Sequence, residues 1–350
     1  MIATPHLAAF QVQKLLFSTA STALWRGFQP KLDRPVLLLT FCTIAEQDAD
    51  FRRKTFEVIR TLTHVKSALV PEILDVVREG THIYIILEDA NIVALRTVLK
   101  GKPLTPAQFT ALLKQLAQGL STLQSAGISC ETLTPDHLFI SETSTLVLPD
   151  ITAFRAQTPA APNESSPLFA RDLLWCAPEQ CCHPPLLPDT RSAMYAVGLT
   201  FYALATAQIP FGALPQRALL SAKQQRQVPS PCDIIPQFPE VLAAILSRMT
   251  QRTAEQRYPQ WGDLLHDLYL AEQGIQPPIR SPETATIAPP FPHPTASGRR
   301  VLCHHASEMR LYRERCQRET AFPKSLRFIL SLLLFLIVTA LLLIIWTTFL

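Results

Sequence analysis

Residues 105–156 constrain the fold more than any other stretch of this chain. Thr105 can cap a helix, Pro106 suits its first turn and Gln108 completes a capping box. Phe109, Leu112, Leu113, Leu116, Leu120 and Leu123 then recur at helical spacing, so a helix over 105–125 must bury one face. Beyond the helix the chain is short-stranded and extended. Ile128 closes an apolar run, residues 130–136 read as a polar loop, and 138–140 read as a strand. A second apolar run over 145–148 ends at Pro149-Asp150.

The rest of the chain sorts into two kinds of pattern. Residues 10–16, 23–28 and 35–41 read as three strands, 47–63 as a helix, and 73–77 with 82–89 as a hairpin turning at Glu79-Gly80. Further on, residues 192–206 (SAMYAVGLTFYALAT) are apolar nearly all round and predict a buried helix. Residues 239–250 and 258–270 are helical by period.

Composition narrows the function. Only 10 glycines occur in 350 residues, well below the ~7% of an average chain, which argues against a glycine-rich phosphate cradle. The net charge is +4, but residues 299–327 hold eight Arg or Lys against three Glu, a local +5. The remainder is therefore −1, and gives no electrostatic footprint for nucleic acid. The eight cysteines form no C-x-x-C pair, so reduced thiols are expected. Cys181-Cys182-His183, and Cys303-His304-His305 with Cys316, are candidate metal clusters, but neither repeats a spacing typical of zinc.

The two ends differ. The N-terminus lacks a basic region followed by an apolar core, so no signal peptide is expected. Residues 328–350 carry no charge over 23 positions, long enough to cross a ~30 Å hydrocarbon core as a helix. Lys324 and Arg327 lie just before them and nothing charged comes after, which places the bulk of the chain on the cytoplasmic side. Input to the chain is then expected through a cytoplasmic or intramembrane partner. Seven prolines between 274 and 295 read as a semi-rigid linker.

The residues around 105–156, with Trp175-Cys176-Ala177-Pro178-Glu179-Gln180, resemble the catalytic and activation segments of eukaryotic-like Ser/Thr protein kinases, especially the bacterial membrane-anchored ones. The resemblance covers about residues 10–272 and is strongest beyond residue 90. It implies an α+β, two-lobed protein-kinase-like fold. A β-rich small lobe would span about 10–90 and a helical large lobe about 91–272, with 192–206 as the central helix.

It also implies a site, most of which is replaced. Aligned on Pro135, the family's His-Arg-Asp run falls on Cys130, Glu131 and Thr132, so Thr132 stands at the catalytic-Asp position. The loop lysine becomes Thr134, and the metal-binding asparagine becomes His137, a poor ligand for oxygen-seeking magnesium. The Asp-Phe-Gly run falls on Asp150-Ile151-Thr152, leaving Asp150 as a possible metal ligand or simply a turn aspartate. The phosphate-loop glycines are Phe17, Thr19 and Thr22, and the phosphate-pairing lysine is Leu39. That lysine's glutamate partner is Lys54 or Thr55. Arg26 either reaches toward the site or is a solvated strand arginine. Glu179 and Arg257 are both present, and in the family these positions form a buried structural ion pair.

Threonine cannot serve as the carboxylate, leucine supplies no charge, and Glu131 sits one residue early. The expectation is a membrane-anchored pseudokinase, a scaffold or regulator that needs no ATP or magnesium. The alternative is an atypical Ser/Thr kinase with weak phosphotransfer, using both. The chain divides into a tail (1–9), the kinase-like domain (10–272), a Pro-rich linker (273–298), a basic juxtamembrane segment (299–327) and a transmembrane helix (328–350). The expected partner is a protein at the membrane, with Arg310, Arg313, Arg315 and Arg318 available to anionic lipid headgroups.

Overall fold

Strands rich in apolar residues dominate residues 11–88. In the computed structural model, β1 (Gln11–Ser18), β2 (Thr22–Gln29), β3 (Arg34–Phe41), β4 (Ile73–Glu79) and β5 (His82–Glu88) make one antiparallel sheet, ordered β1-β2-β3-β5-β4. The structure describes residues 7, 9–19, 22–41, 49–79, 82–130, 133–156, 174–181, 189–212 and 214–276. Glu131, Thr132, Cys182, His183 and everything from residue 277 on lie outside them. That includes most of the Pro-rich linker, the basic segment, the second Cys/His cluster and the apolar span 328–350. Among the described residues no helix is long and apolar enough to cross a membrane, and no group of three or more His, Cys, Asp or Glu could hold a metal.

The pleat divides the sheet's side chains cleanly. Ala23, Trp25, Val36, Leu38, Tyr84 and Ile86 form one core with Leu7 and Phe10. The cross-strand partners Leu24, Leu39 and Ile85 share the other face, and all three are wholly buried. Phe41, two residues beyond Leu39 and so on the same face, meets the ring of Phe51 edge-on at 5.2 Å. Phe51 belongs to helix α1 (Ala49–Leu62), which therefore packs on the face carrying Leu39.

After β6 (Val93–Ala94) and the short helix α2 (Leu95–Leu99), the chain turns helical. Helix α3 (Pro106–Ser125) starts at the predicted box: the Thr105 amide donates to Gln108 Oε1, and the Gln108 amide donates to Thr105 Oγ1. Its stripe is buried throughout, and Phe109 meets Phe201 and Phe238 edge-on. Then come β7 (Ile128–Cys130), β8 (Phe139–Ile140), β9 (Leu146–Val147) and β10 (Phe154–Ala156), followed by α4 (Thr190–Thr206), α5 (Gln216–Gln225), α6 (Glu240–Met249) and α7 (Trp261–Glu272). Helix α4 is buried from Ser192 to its end, as an all-round apolar pattern requires. Gly198 lets it approach α6: a Cβ there would lie 2.7 Å from Thr250 and 3.0 Å from Met249 Cβ.

One expectation needs correction, and one helix is not read from the sequence. The run over 130–136 is polar by composition, yet among its described residues Cys130, Leu133 and Pro135 are buried. The reason is α4: Thr200 Oγ1 donates to the Leu133 carbonyl at 3.0 Å and draws the loop onto the central helix. Helix α5 is an element that the apolar pattern does not announce. It buries Lys223 completely, with Nζ donating to the Cys176 carbonyl at 2.5 Å.

The sheet half and the helical half also meet at Leu69, between α1 and β4. Its carbonyl accepts from the Leu148 amide at 2.6 Å. Its side chain rests on Gly119 of α3, where an added Cβ would come within 2.6 Å of Leu69 Cβ.

Candidate functional site

The site is built where the β1–β2 hairpin meets the loop carrying His137 and the turn carrying Asp150. Two of the hairpin's amides bond within it. Thr19 N–H donates to the Thr22 carbonyl at 2.8 Å, and Thr22 N–H donates to Thr19 Oγ1 at 2.9 Å. From the strand end, the Phe17 ring turns onto the other side of the site, with its centroid 5.7 Å from the His137 ring and 6.3 Å from the Phe139 ring.

Asp150 is 1% exposed and caps a short turn. Its Oδ1 accepts from the Thr152 amide (3.0 Å) and hydroxyl (2.6 Å). Its Oδ2 accepts from the Thr22 hydroxyl at 3.2 Å, a buried bond between residues 128 positions apart. His137 Nε2 lies 3.7 Å from the same oxygen. A buried carboxylate is costly unless donors surround it, and Thr22 and Thr152 supply three.

The state of His137 is set by its other nitrogen. Nδ1 accepts from the Thr134 amide at 3.1 Å, so the neutral ring carries its proton on Nε2, facing Asp150. Burial pulls its pKa below the usual 6.5, while Asp150 and Asp136 offset part of that pull. An N–H aimed at a carboxylate is a donor and not a metal ligand.

Below pH 6.5 the unfolded chain takes a proton on this histidine while the folded chain resists it. Wild type should therefore lose stability relative to His137→Gln as pH falls through this window, with a slope of up to about 1.4 kcal/mol per pH unit. Denaturation of both proteins at several pH values between 7.5 and 5 checks this, and parallel curves would contradict it.

The other expected site residues have different surroundings. Leu39 sits in the buried face of the sheet, 0% exposed. Lys54 lies on α1, and Glu57 on the same helix accepts from Arg53 at 3.0 Å. Arg26 fits neither expected role. It donates from Nε and Nη2 to Asp89 (2.5 and 3.2 Å) and from Nη2 to the Ile92 carbonyl (2.7 Å), tying β2 to the segment that joins the two halves. Residue patterns do not give this clamp, although an arginine inside an apolar strand is itself a sign that a partner exists.

Glu179 and Arg257 are brought together. The guanidinium donates to both carboxylate oxygens at 2.6 and 2.8 Å. Its remaining N–H groups go to the carbonyls of Gln251, Arg191 and Arg252 at 2.6, 3.0 and 3.1 Å. All five donors of a buried arginine are thus used. The Arg257 guanidinium also lies 4.9 Å from the ring centroid of Tyr195, whose phenol proton is held tightly, chiefly by burial.

Comparison with known proteins agrees with this architecture. The family model described as "Protein kinase domain" matches residues 42–270. Serine/threonine-protein kinase PknL of Mycobacterium tuberculosis is 26% identical over 279 residues, covering 78% of this chain and 68% of that protein. Serine/threonine-protein kinase pkn2 of Myxococcus xanthus is 25% identical over 272 residues, covering 75% of this chain but 32% of that protein. The crystal structure of the Mycobacterium tuberculosis PknI kinase domain superposes with a TM-score of 0.58 at 16% identity, over 76% of this chain and 97% of that one. With a five-stranded sheet before a helical half, and a family model covering most of its length, the chain belongs to the protein kinase family, among relatives that are bacterial serine/threonine kinases.

Proposed function

We propose that this chain is a catalytically inactive kinase-family protein, a scaffold or regulator held at the cytoplasmic face of a membrane by residues 328–350. The observation that carries the reading is the use of the Thr19 and Thr22 amides inside their own hairpin. Phosphoryl transfer needs donors that cradle the phosphates, a metal to neutralise them and a carboxylate to position the hydroxyl. Leu39 brings no cation, Thr132 no carboxylate, and both Asp150 oxygens already accept bonds. Magnesium-ATP does not fit these residues as they stand.

A second reading is weak Ser/Thr phosphotransfer, favoured by the retained Asp150 and by the kinase relatives. A melt of the detergent-solubilised full-length chain, with and without millimolar Mg-ATP, separates the two. A ligand present at 100 times its Kd adds about 2.7 kcal/mol. No shift is expected, and a magnesium-dependent rise would favour the second reading.

The positive residues before the apolar span support the orientation. Arg310, Arg313, Arg315 and Arg318 would add lipid contact at ~1 kcal/mol each near an anionic surface. The partner on this reading is a protein met at the membrane, with no role for nucleic acid. Protease given to cells whose outer layer is permeabilised should spare residues 10–272, and their digestion would refute the orientation.

A further inference from the structure

We propose that the β1–β2 hairpin is a built-in latch, an intramolecular contact that closes the cleft between the sheet and the loops carrying His137 and Asp150 with the chain's own side chains. The proposal goes beyond the scaffold reading and does not rest on it, because a weakly active enzyme would need the same hairpin to lift before a nucleotide entered.

Two independent contacts make the latch. The first is polar: the Thr22 hydroxyl, on a residue with no exposed surface, donates to the buried Asp150 carboxylate across the two halves of the molecule. The second is aromatic: Phe17 turns its ring onto His137 and Phe139. The strand ends on either side of the turn are bonded to each other, since Thr19 Oγ1 lies 2.7 Å from Thr22 Oγ1 and accepts from the Thr22 amide. Thr22 thus fixes the hairpin and fastens it at once. Opening would leave Asp150 short of a donor and strip an aromatic contact from His137, so closure is favoured with nothing bound. A partner that grips the exposed side of β1 could lift the hairpin and change what the cleft presents.

Hydrogen–deuterium exchange on the detergent-solubilised full-length chain tests this. In wild type, amides of residues 11–18, 22–29 and 133–153 should be protected without any ligand, and millimolar Mg-ATP should add nothing. Thr22→Val keeps the shape and removes the donor, and should speed exchange in these segments roughly tenfold, the equivalent of one charge-assisted hydrogen bond. Amides of α4 and α7 should stay as in wild type. Phe17→Ala should act on the same segments, and Thr22→Ser, which restores a hydroxyl, should return protection to them. Equal exchange in wild type, Thr22→Val and Phe17→Ala would overturn the latch. So would protection that appears only with Mg-ATP, since the ligand would then be closing the cleft. The Mg-ATP melt can fail while the latch stands, and the reverse, so the two ideas are separable.

Discussion

Replacing Glu179 by alanine is expected to cost about 3–5 kcal/mol of stability, the range for breaking a buried ion pair from one side. The reason lies in the partner. The Arg257 side chain has no exposure, whereas that of Glu179 keeps 14%, so the arginine is the ion that cannot escape to water. Three backbone carbonyls would still hold it in place, leaving two donors without an acceptor. Chemical denaturation measures the loss. Adding Arg257→Met to Glu179→Ala should recover part of it, because an apolar pair in that space is less costly than one stranded charge. A Glu179→Ala protein as stable as wild type would show that the pair is ornamental.

Leu39→Lys should be at least as damaging, although it restores the residue type that the family has there. Leu39 is wholly buried between Leu24 and Ile85 on the face that α1 covers. A fully buried lysine has its pKa depressed by roughly 3–5 units, and each unit is about 1.4 kcal/mol. The expected loss is about 4–7 kcal/mol. The register where the family offers a glutamate holds Lys54 or Thr55, so no countercharge is waiting in sequence terms. The variant should melt far below wild type and gain no affinity for Mg-ATP. A melt unchanged from wild type would mean that the ammonium reaches water through the cleft, and that the cleft is wetter than these contacts imply.

How much of this is legible in the sequence depends on distance along the chain. The capping box at Thr105 and Gln108 and the stripe from Phe109 to Leu123 are local, and periodicity reads them directly. Glu179 and Arg257 are 78 residues apart, and only the family resemblance suggests that they belong together. The Thr22–Asp150 bond cannot be read at all. A threonine at a hairpin end has the same local signature whether its hydroxyl faces water or a carboxylate 128 residues away. Phe17 is similar: the sequence marks it as too bulky for an anion site, but not that its ring fills the space instead. His137 shows in the sequence only as a poor magnesium ligand. Its actual state depends on a Thr134 amide three residues back, in a Thr-Pro-Asp-His turn whose capping pattern is there to be read.

The clamp formed by Arg26 has a mechanical consequence. Kinase-like halves joined by one covalent connector would rock about it, and that rocking is a soft, low-frequency motion. Here the connector is bonded sideways to the sheet, through Asp89 and the Ile92 carbonyl. Leu69 adds a second attachment through Leu148 and Gly119. Bending at the connector must then break a bidentate ion pair as well as turn backbone dihedrals. Torque applied at Arg26 is passed straight to Asp89 and Ile92, so the connector end of β2 resists bending while the Thr22 end of the same strand is held only by the contacts of the latch.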